Sequence, residues 1–326
     1  METSLLLMHQ KFALGTTLFG WTLSESKSFE LLDYFYFDLG QKVIDTADSY
    51  PQWKSGSVGG ETEIILGNWI NSRKIDRQDV FISTKIGRKK DAIGYSSENI
   101  TSAVRGCLDR IKTDYLDLLY IHSSENFTKP DEVAHSLGLF INTGQIRSIG
   151  VSNFNLEMAR GFSENLKSNS GSGLFALQNH YNLVERDSKL MPFDEYSKST
   201  NLGMSSEIIP WMKQDSIYNI CYHALCRGVL TDFTARHMRI KETSLHLERT
   251  TKYLVDPVLK LLTSLNEISK EIDINVSSIA LQWLRQEYGR TLPVISCNSI
   301  KQLQDASFDF VLSEKHFEML DILRLA

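Results

Sequence analysis

A chain of 326 residues with 42% hydrophobic side chains can bury a large core and sits at the upper end of what one domain usually holds. The formal net charge is −5 with acidic and basic residues intermixed, which excludes the basic footprint of a nucleic-acid binder and leaves a small molecule as the better partner. The four cysteines, Cys107, Cys221, Cys226 and Cys297, have neither zinc nor redox spacing, and no stretch approaches the roughly 18 apolar residues of a membrane span, so a soluble, cytoplasmic, unprocessed protein is expected.

In chain order, β-rich windows alternate with segments of helical spacing. "KFALGTTLF" from Lys11, "KVIDTA" from Lys42, "VFISTK" from Val80 and "YLDLLYIH" from Tyr115 are followed by "IRSIGVSN" from Ile146, "FALQNHY" from Phe175, "IYNICYHAL" from Ile217 and "LPVISCN" from Leu292. Between them, "ETEIILGNWINSR" and "SENITSAVRGCLDRIK", the latter entered through Ser97, carry apolar residues three and four apart. Each return passing through a helix makes the strands parallel, and eight such units close an α/β (β/α)8 or TIM barrel, predicted here as one domain over 1–326 with its functional site at the C-terminal strand ends. Three segments break the repeat: the glycine-rich 50–63, the polar 184–206, which is long enough to form a lid, and the charged 231–256.

The same strand ends switch from apolar to functional side chains. Asp45 follows "KVI", Lys85 follows "VFIST", His122 follows "LDLLYI", Ser152 and Asn153 follow "IGV", Gln178 lies in "FALQNHY" and Tyr222 in "NICYHAL". Singly, each has a plain structural reading: Asp45 as a helix cap, Lys85 as a solvated strand end, His122 and Gln178 as hydrogen-bonded core groups, Ser152–Asn153 as an N-cap, Tyr222 as barrel filling. Six strands delivering such groups to one rim makes that series of coincidences the poorer account.

An acid, a lysine, a histidine and a tyrosine suit proton transfer to a carbonyl. A free tyrosine titrates near ~10 and is a weak acid catalyst at neutral pH unless its phenolate is stabilised. Lys85 is expected to lower the Tyr50 pKa, Asp45 to keep Lys85 charged, and His122 to hydrogen-bond the substrate oxygen. A metal-dependent hydrolase using His122, His180 and His223 is the rival reading, but the first strand lacks the close ligand pair such a site uses, so no metal is expected.

The motifs "LGTTLFGW", "VIDTADSY", "ETEIILGNWI", "VFISTK", "LDLLYIH", "GQIRSIGVSNF", "LQNHYN", "CYHALCRGVLT", "SIKQLQDA" and "SEKHFEMLDIL", in this order over nearly the whole chain, resemble the aldo-keto reductases. The resemblance implies a catalytic tetrad of Asp45, Tyr50, Lys85 and His122, with Ser152, Asn153 and Gln178 holding a nicotinamide carboxamide and Tyr222 stacking beneath its ring. It implies NADP as cofactor, with NAD the alternative, because the phosphate-end motif departs from the family pattern: Ser296, Asn298 and Gln302 stand where basic residues are common, and Asp305 and Ala306 replace a glutamate and an asparagine. Ser299 is expected to cap the following helix, Lys301 lies in its first turn, and Arg227 reads equally as a pyrophosphate contact or as a plain surface arginine. The implied activity is NAD(P)H-dependent reduction of an aldehyde or ketone to an alcohol. The polar loop "KSGSVGG" hints at a sugar-like carbonyl, and Trp53 is either a pocket wall or a loop anchor. A nicotinamide-binding sensor or partner subunit with little turnover is the alternative.

Overall fold

The alternating windows become eight parallel strands: β1 (Ala13–Gly15), β2 (Val43–Asp45), β3 (Phe81–Ile86), β4 (Leu118–Ile121), β5 (Ile149–Ser152), β6 (Ala176–Gln178), β7 (Tyr218–Asn219) and β8 (Val294–Ile295). The computed structural model describes residues 6, 7, 9–184, 208–231 and 256–325. Apart from Val184, the expected lid at 184–206 lies outside them, as does the charged segment between 231 and 256.

Strand neighbours run β7-β6-β5-β4-β3-β2-β1-β8, the order of a sheet wound in sequence with β8 brought beside β1. The remaining edges meet through backbone hydrogen bonds from Leu292 to Asn219 O (2.8 Å), Val294 to Cys221 O (2.8 Å) and Asn219 to Arg290 O (3.0 Å). The ring is therefore closed, as eight strand–helix units predict. Seven of the strands are shorter than their sequence windows, whereas β3 equals its window in length and is shifted by one residue, and Asp45, Lys85, Ser152 and Gln178 lie at or near the strand ends that form the rim.

Around the ring stand α1 (Glu25–Asp33), α2 (Glu61–Arg73), α3 (Ser97–Ile111), α4 (Pro130–Asn142), α5 (Leu156–Ser170), α6 (Ile208–Gln214), α7 (Asp256–Ile272), α8 (Val276–Glu287), α9 (Ile300–Ala306) and α10 (Glu314–Leu325). The starts of α1, α3, α5, α8 and α9 are capped by side chains that satisfy free backbone N–H groups. Asn155 Oδ1 accepts from Met158 N at the head of α5 (2.9 Å), and Asn275 Oδ1 from Ser278 N at the head of α8 (2.8 Å). The cap of α3 is Ser96, whose Oγ accepts from Asn99 N, one residue earlier than the sequence places the entry. Trp211 is buried in α6.

Strand alternation divides the core in two. Ala13, Val43, Phe81, Leu118, Tyr120, Ala176, Tyr218 and Val294 fill the barrel interior, whereas residues one step along, such as Ile44, Ile82, Leu119, Val151 and Leu177, pack outward beneath the helices. Gly150 faces inward, where an added Cβ would lie 2.5 Å from a carbon of the Tyr120 ring. Its missing side chain is what lets Tyr120 cross the barrel.

Candidate active site at the barrel mouth

Two residues beyond Val43 and four beyond Phe81, the same inward alternation delivers Asp45 and Lys85 to the upper barrel, and β2 pairs with β3 so that Asp45 stands opposite Ser83. Lys85, 1% exposed, donates from Nζ to Asp45 Oδ2 at 2.6 Å and to Thr46 O at 2.8 Å. The other carboxylate oxygen accepts from Ser83 Oγ (2.8 Å) and Gln178 Nε2 (2.9 Å). A buried ion pair survives only if its desolvation is offset by such additional bonds. Burial alone would strip the Lys85 proton, but the Asp45 carboxylate and the Tyr50 side chain reverse that effect and hold its pKa above the ordinary value.

Tyr50 reaches this pair from the loop after β2. Lys85 Nζ lies 5.4 Å from the Tyr50 ring centroid, and the His122 ring crosses Tyr50 edge-on with centroids 6.0 Å apart. The loop is fastened at its far end: Gly60 N donates to Tyr50 O (2.9 Å), and the Glu61 carboxylate at the head of α2 accepts from Ser57 Oγ (2.6 Å) and Val58 N (3.1 Å). Gly59 and Gly60, at φ 91° and 94°, adopt a left-handed backbone in which an added Cβ would also meet Asp48 O at 2.9 Å and the Arg110 side chain at 2.6 Å. Only glycine fits this return.

The electrostatics depart from the sequence expectation in one respect. Burial raises the Tyr50 pKa, and the opposing pull of Lys85 does not cancel it, so the phenol keeps its proton at neutral pH. His122 is driven the other way: burial, with Lys85 and Arg88 adding like-charge repulsion, holds it well below the usual histidine range and leaves a neutral imidazole. Its Nδ1 is buried with no hydrogen-bond partner among the described residues.

The residues expected at a nicotinamide carboxamide form a connected network. Asn153, at φ 59°, donates from Nδ2 to His122 O (3.0 Å) and Ser152 Oγ (3.1 Å), while its Oδ1 accepts from Tyr222 OH (2.7 Å). Gln178 instead supports Asp45, so its amide nitrogen is engaged inside the barrel. At the adjoining rim, His180 and His223 lie 4.9 Å apart and each crosses Tyr222. Burial pushes His180 down to about 3, and burial with His180 and Arg227 nearby holds His223 well below the ordinary range. Arg227 sits in the short 3-10 turn Cys226–Gly228 at φ 53°.

The segment after β8 is self-satisfied. Ser296 Oγ and Thr17 Oγ1 share a hydrogen bond of 2.8 Å, Gln302 Oε1 accepts from Asn298 N (2.8 Å), and Ser299 caps Gln302 N as expected. Lys301, read from the sequence as a cation near the phosphate end, is instead paired with Asp305 one turn along α9.

Several contacts and neighbours escaped the sequence reading, the environment of Asp48 among them. Ser83 and the Thr46 carbonyl complete the coordination of Asp45 and Lys85, and the signal for Ser83 was its position two residues before Lys85 on one strand face. Asp48 is fully buried, neither oxygen has a hydrogen-bond partner among the described residues, and Glu63 and Arg110 lie close enough to act on it. Trp21 stands 5.7 Å from Trp53 on the same rim.

A family model described as the aldo/keto reductase family matches residues 11–324. Among curated proteins, aldo-keto reductase dtxS3 of Metarhizium robertsii is 27% identical over 312 residues, covering 88% of this chain and 78% of that protein. Aldo-keto reductase YhdN of Bacillus subtilis is 26% identical, covering 91% and 82%, and a probable aryl-alcohol dehydrogenase AAD4 of Saccharomyces cerevisiae is 24% identical, covering 87% and 82%. The solved structure of the thermostable aldo-keto reductase Tm1743, a complex with epalrestat, superposes with a TM-score of 0.69 at 22% identity, covering 96% of this chain and 94% of that one, which shows a shared fold. Motif order, barrel closure and a family match spanning nearly every residue agree, and the chain belongs to the aldo/keto reductase family.

Proposed function

We infer that the protein is an NAD(P)H-dependent reductase of aldehydes or ketones with Tyr50 as general acid. The observation that carries this reading is the buried Lys85–Asp45 pair beneath Tyr50, with neutral His122 across the ring. A ring nitrogen of His122 bearing its proton donates to the carbonyl oxygen and polarises the bond. When bound, a reduced nicotinamide supplies the hydride that the carbonyl carbon accepts. The Tyr50 hydroxyl gives its proton to the oxygen: an alkoxide is a far stronger base than a phenolate, so a phenol that stays protonated at neutral pH still donates. The Lys85 ammonium stabilises the phenolate until water restores the proton, and Asp45, held by Ser83 and Gln178, keeps that ammonium charged and in place.

The chemistry of the rim fits such a cofactor. Ser152 and Asn153 present polar groups suited to a carboxamide, Tyr222 offers a half-buried ring beside them, and His223 Nδ1 is buried without a hydrogen-bond partner among the described residues. Arg227 neighbours His223 and suits a pyrophosphate. Ser296, Asn298, Gln302 and Asp305 offer no free cation to a 2′-phosphate, so NADH competes with the NADPH typical of the family. The glycine-rich loop that suggested a sugar uses Ser57 on Glu61 and Gly59–Gly60 on its own closure, whereas some relatives are named for aryl alcohols.

The test is to titrate NADPH and NADH by fluorescence and to assay a panel of carbonyls with the tighter one. Tyr50→Phe is expected to lower kcat by about 10²- to 10⁴-fold with little change in nucleotide affinity. Absence of binding by either nucleotide, or unchanged reduction by the variant, overturns the assignment.

A further inference from the structure

We propose that Tyr120 is a positioning residue for proton transfer: its ring gives the Lys85 ammonium a second aromatic face and fixes it beneath Tyr50. The proposal rests on the reductase reading above and adds a residue to its machinery.

Strand pairing makes Tyr120 the cross-strand neighbour of Lys85. Both side chains point into the barrel, and β3 and β4 set them directly opposite one another, as β4 and β5 set Tyr120 opposite Gly150. Lys85 Nζ consequently lies 5.7 Å from the Tyr120 ring centroid, against 5.4 Å from that of Tyr50. Its hydrogen bonds to Asp45 Oδ2 and Thr46 O hold the ammonium from the side of β2, and the two rings bracket it. A cation within about 6 Å of an aromatic face is attracted to it, more strongly where water is excluded. Both partners here are fully buried. Burial, with the Asp45 carboxylate nearby, raises the Tyr120 pKa well above the usual phenol range, so the ring stays neutral. Its hydroxyl has no hydrogen-bond partner among the described residues, and the ring face is what the side chain offers its surroundings.

The competing account is that Tyr120 only fills the barrel. Filling asks for volume, which residues on several strands can share. Here the neighbouring positions give volume up: Gly150 lies outside the left-handed region that requires glycine, and its missing side chain is the space into which the Tyr120 ring extends. Ala176, the register partner of Gly150 on β6, is small as well. Larger residues at 150 and 176 around a smaller one at 120 would fill the same interior, since cores tolerate exchanges that conserve total volume. The row instead concentrates its bulk in one ring, next to the Lys85 ammonium.

The experiment replaces Tyr120 by phenylalanine, by methionine and by pentafluorophenylalanine, whose ring nearly keeps the shape of phenylalanine and reverses the charge of its faces. Carbonyl reduction is followed between about pH 6 and about pH 10. Tyr120→Phe is expected to keep kcat within about twofold of the wild type. Tyr120→Met and the fluorinated ring are expected to lower kcat by about threefold to tenfold, with KM and nucleotide affinity within about twofold. Because the aromatic face favours the charged amine, both also move the alkaline loss of kcat to lower pH. Equal kcat and equal pH profiles for phenylalanine and its fluorinated analogue make Tyr120 a filler and overturn the proposal, leaving the reductase reading intact. Where Tyr120→Met does not fold, the comparison of these two rings decides alone. If the wild type reduces no carbonyl, the reductase reading fails, and acetic anhydride labelling of Lys85, read by peptide mass spectrometry, decides the contact. Acylation needs the neutral amine, so labelling about threefold faster with the fluorinated ring than with phenylalanine sustains it, and equal rates remove it.

Discussion

Asp45 and Asp48 are three residues apart, both are buried, and they live in opposite electrostatic worlds. Asp45 points into the barrel mouth and receives hydrogen bonds from Lys85, Ser83 and Gln178. Asp48 accepts from no described residue and lies near Glu63, itself buried and already paired with Arg110 at 2.7 Å. Desolvation, with repulsion from Glu63 outweighing the attraction of Arg110, raises the Asp48 pKa well above the carboxylate range. Equal depth therefore leaves the two acids with very different hydrogen-bond support.

The sharpest way to break that contrast is to remove the cation. Lys85→Met leaves Asp45 buried without its counter-charge, and the expected cost is about 3 to 5 kcal/mol in denaturant unfolding, together with loss of reductase turnover. A loss below about 1 kcal/mol would mean that Ser83 and Gln178 satisfy the carboxylate unaided. Gln178→Met preserves volume while deleting one donor to Asp45, with an expected cost of about 1.5 to 3 kcal/mol. Lower kcat at unchanged stability in that variant would point to cofactor contact instead.

The smallest effect is predicted at Asp48, and it depends on pH. A carboxyl whose pKa is raised on folding contributes stability in full below its unfolded pKa, near ~3.9, and loses it as pH rises through the folded value. Asp48→Asn, neutral at every pH, removes this contribution to the slope. Between about pH 5 and about pH 8 the wild-type unfolding free energy, followed by denaturant melts, is expected to fall relative to that of the variant by an amount on the order of 1 kcal/mol. Parallel curves would show that Asp48 carries the same charge state in the folded and unfolded chain.

How far the sequence foretold this contrast depends on the range of the interaction. Eight strands and their direction were readable because apolar windows repeat, and Asp45 and Lys85 because each ends such a window. The partners of Asp45 were harder: Gln178 was expected beside a nicotinamide, and only the strand curvature that brings β6 across from β2 turns its amide to Asp45. Asp48 was visible as an acid after a strand, but its isolation depends on α2 and α3 packing Glu63 and Arg110 behind it, which no local pattern records. The Tyr50 pKa went against expectation for the same reason: attraction to Lys85 is read from residue types, whereas the larger cost of burial belongs to the assembled barrel.

Gly150 has a consequence for how new specificities could arise. Tyr120 occupies the space that a side chain at 150 would claim, and its ring lies 5.7 Å from the Lys85 ammonium. Any enlargement at that position would lift the ring into the proton-transfer apparatus, so the lower storey of the barrel has almost no latitude for variation. Evolutionary or laboratory diversification is thereby channelled upward, into loops such as those bearing Trp21 and Trp53, where a residue can be exchanged without shifting what lies underneath.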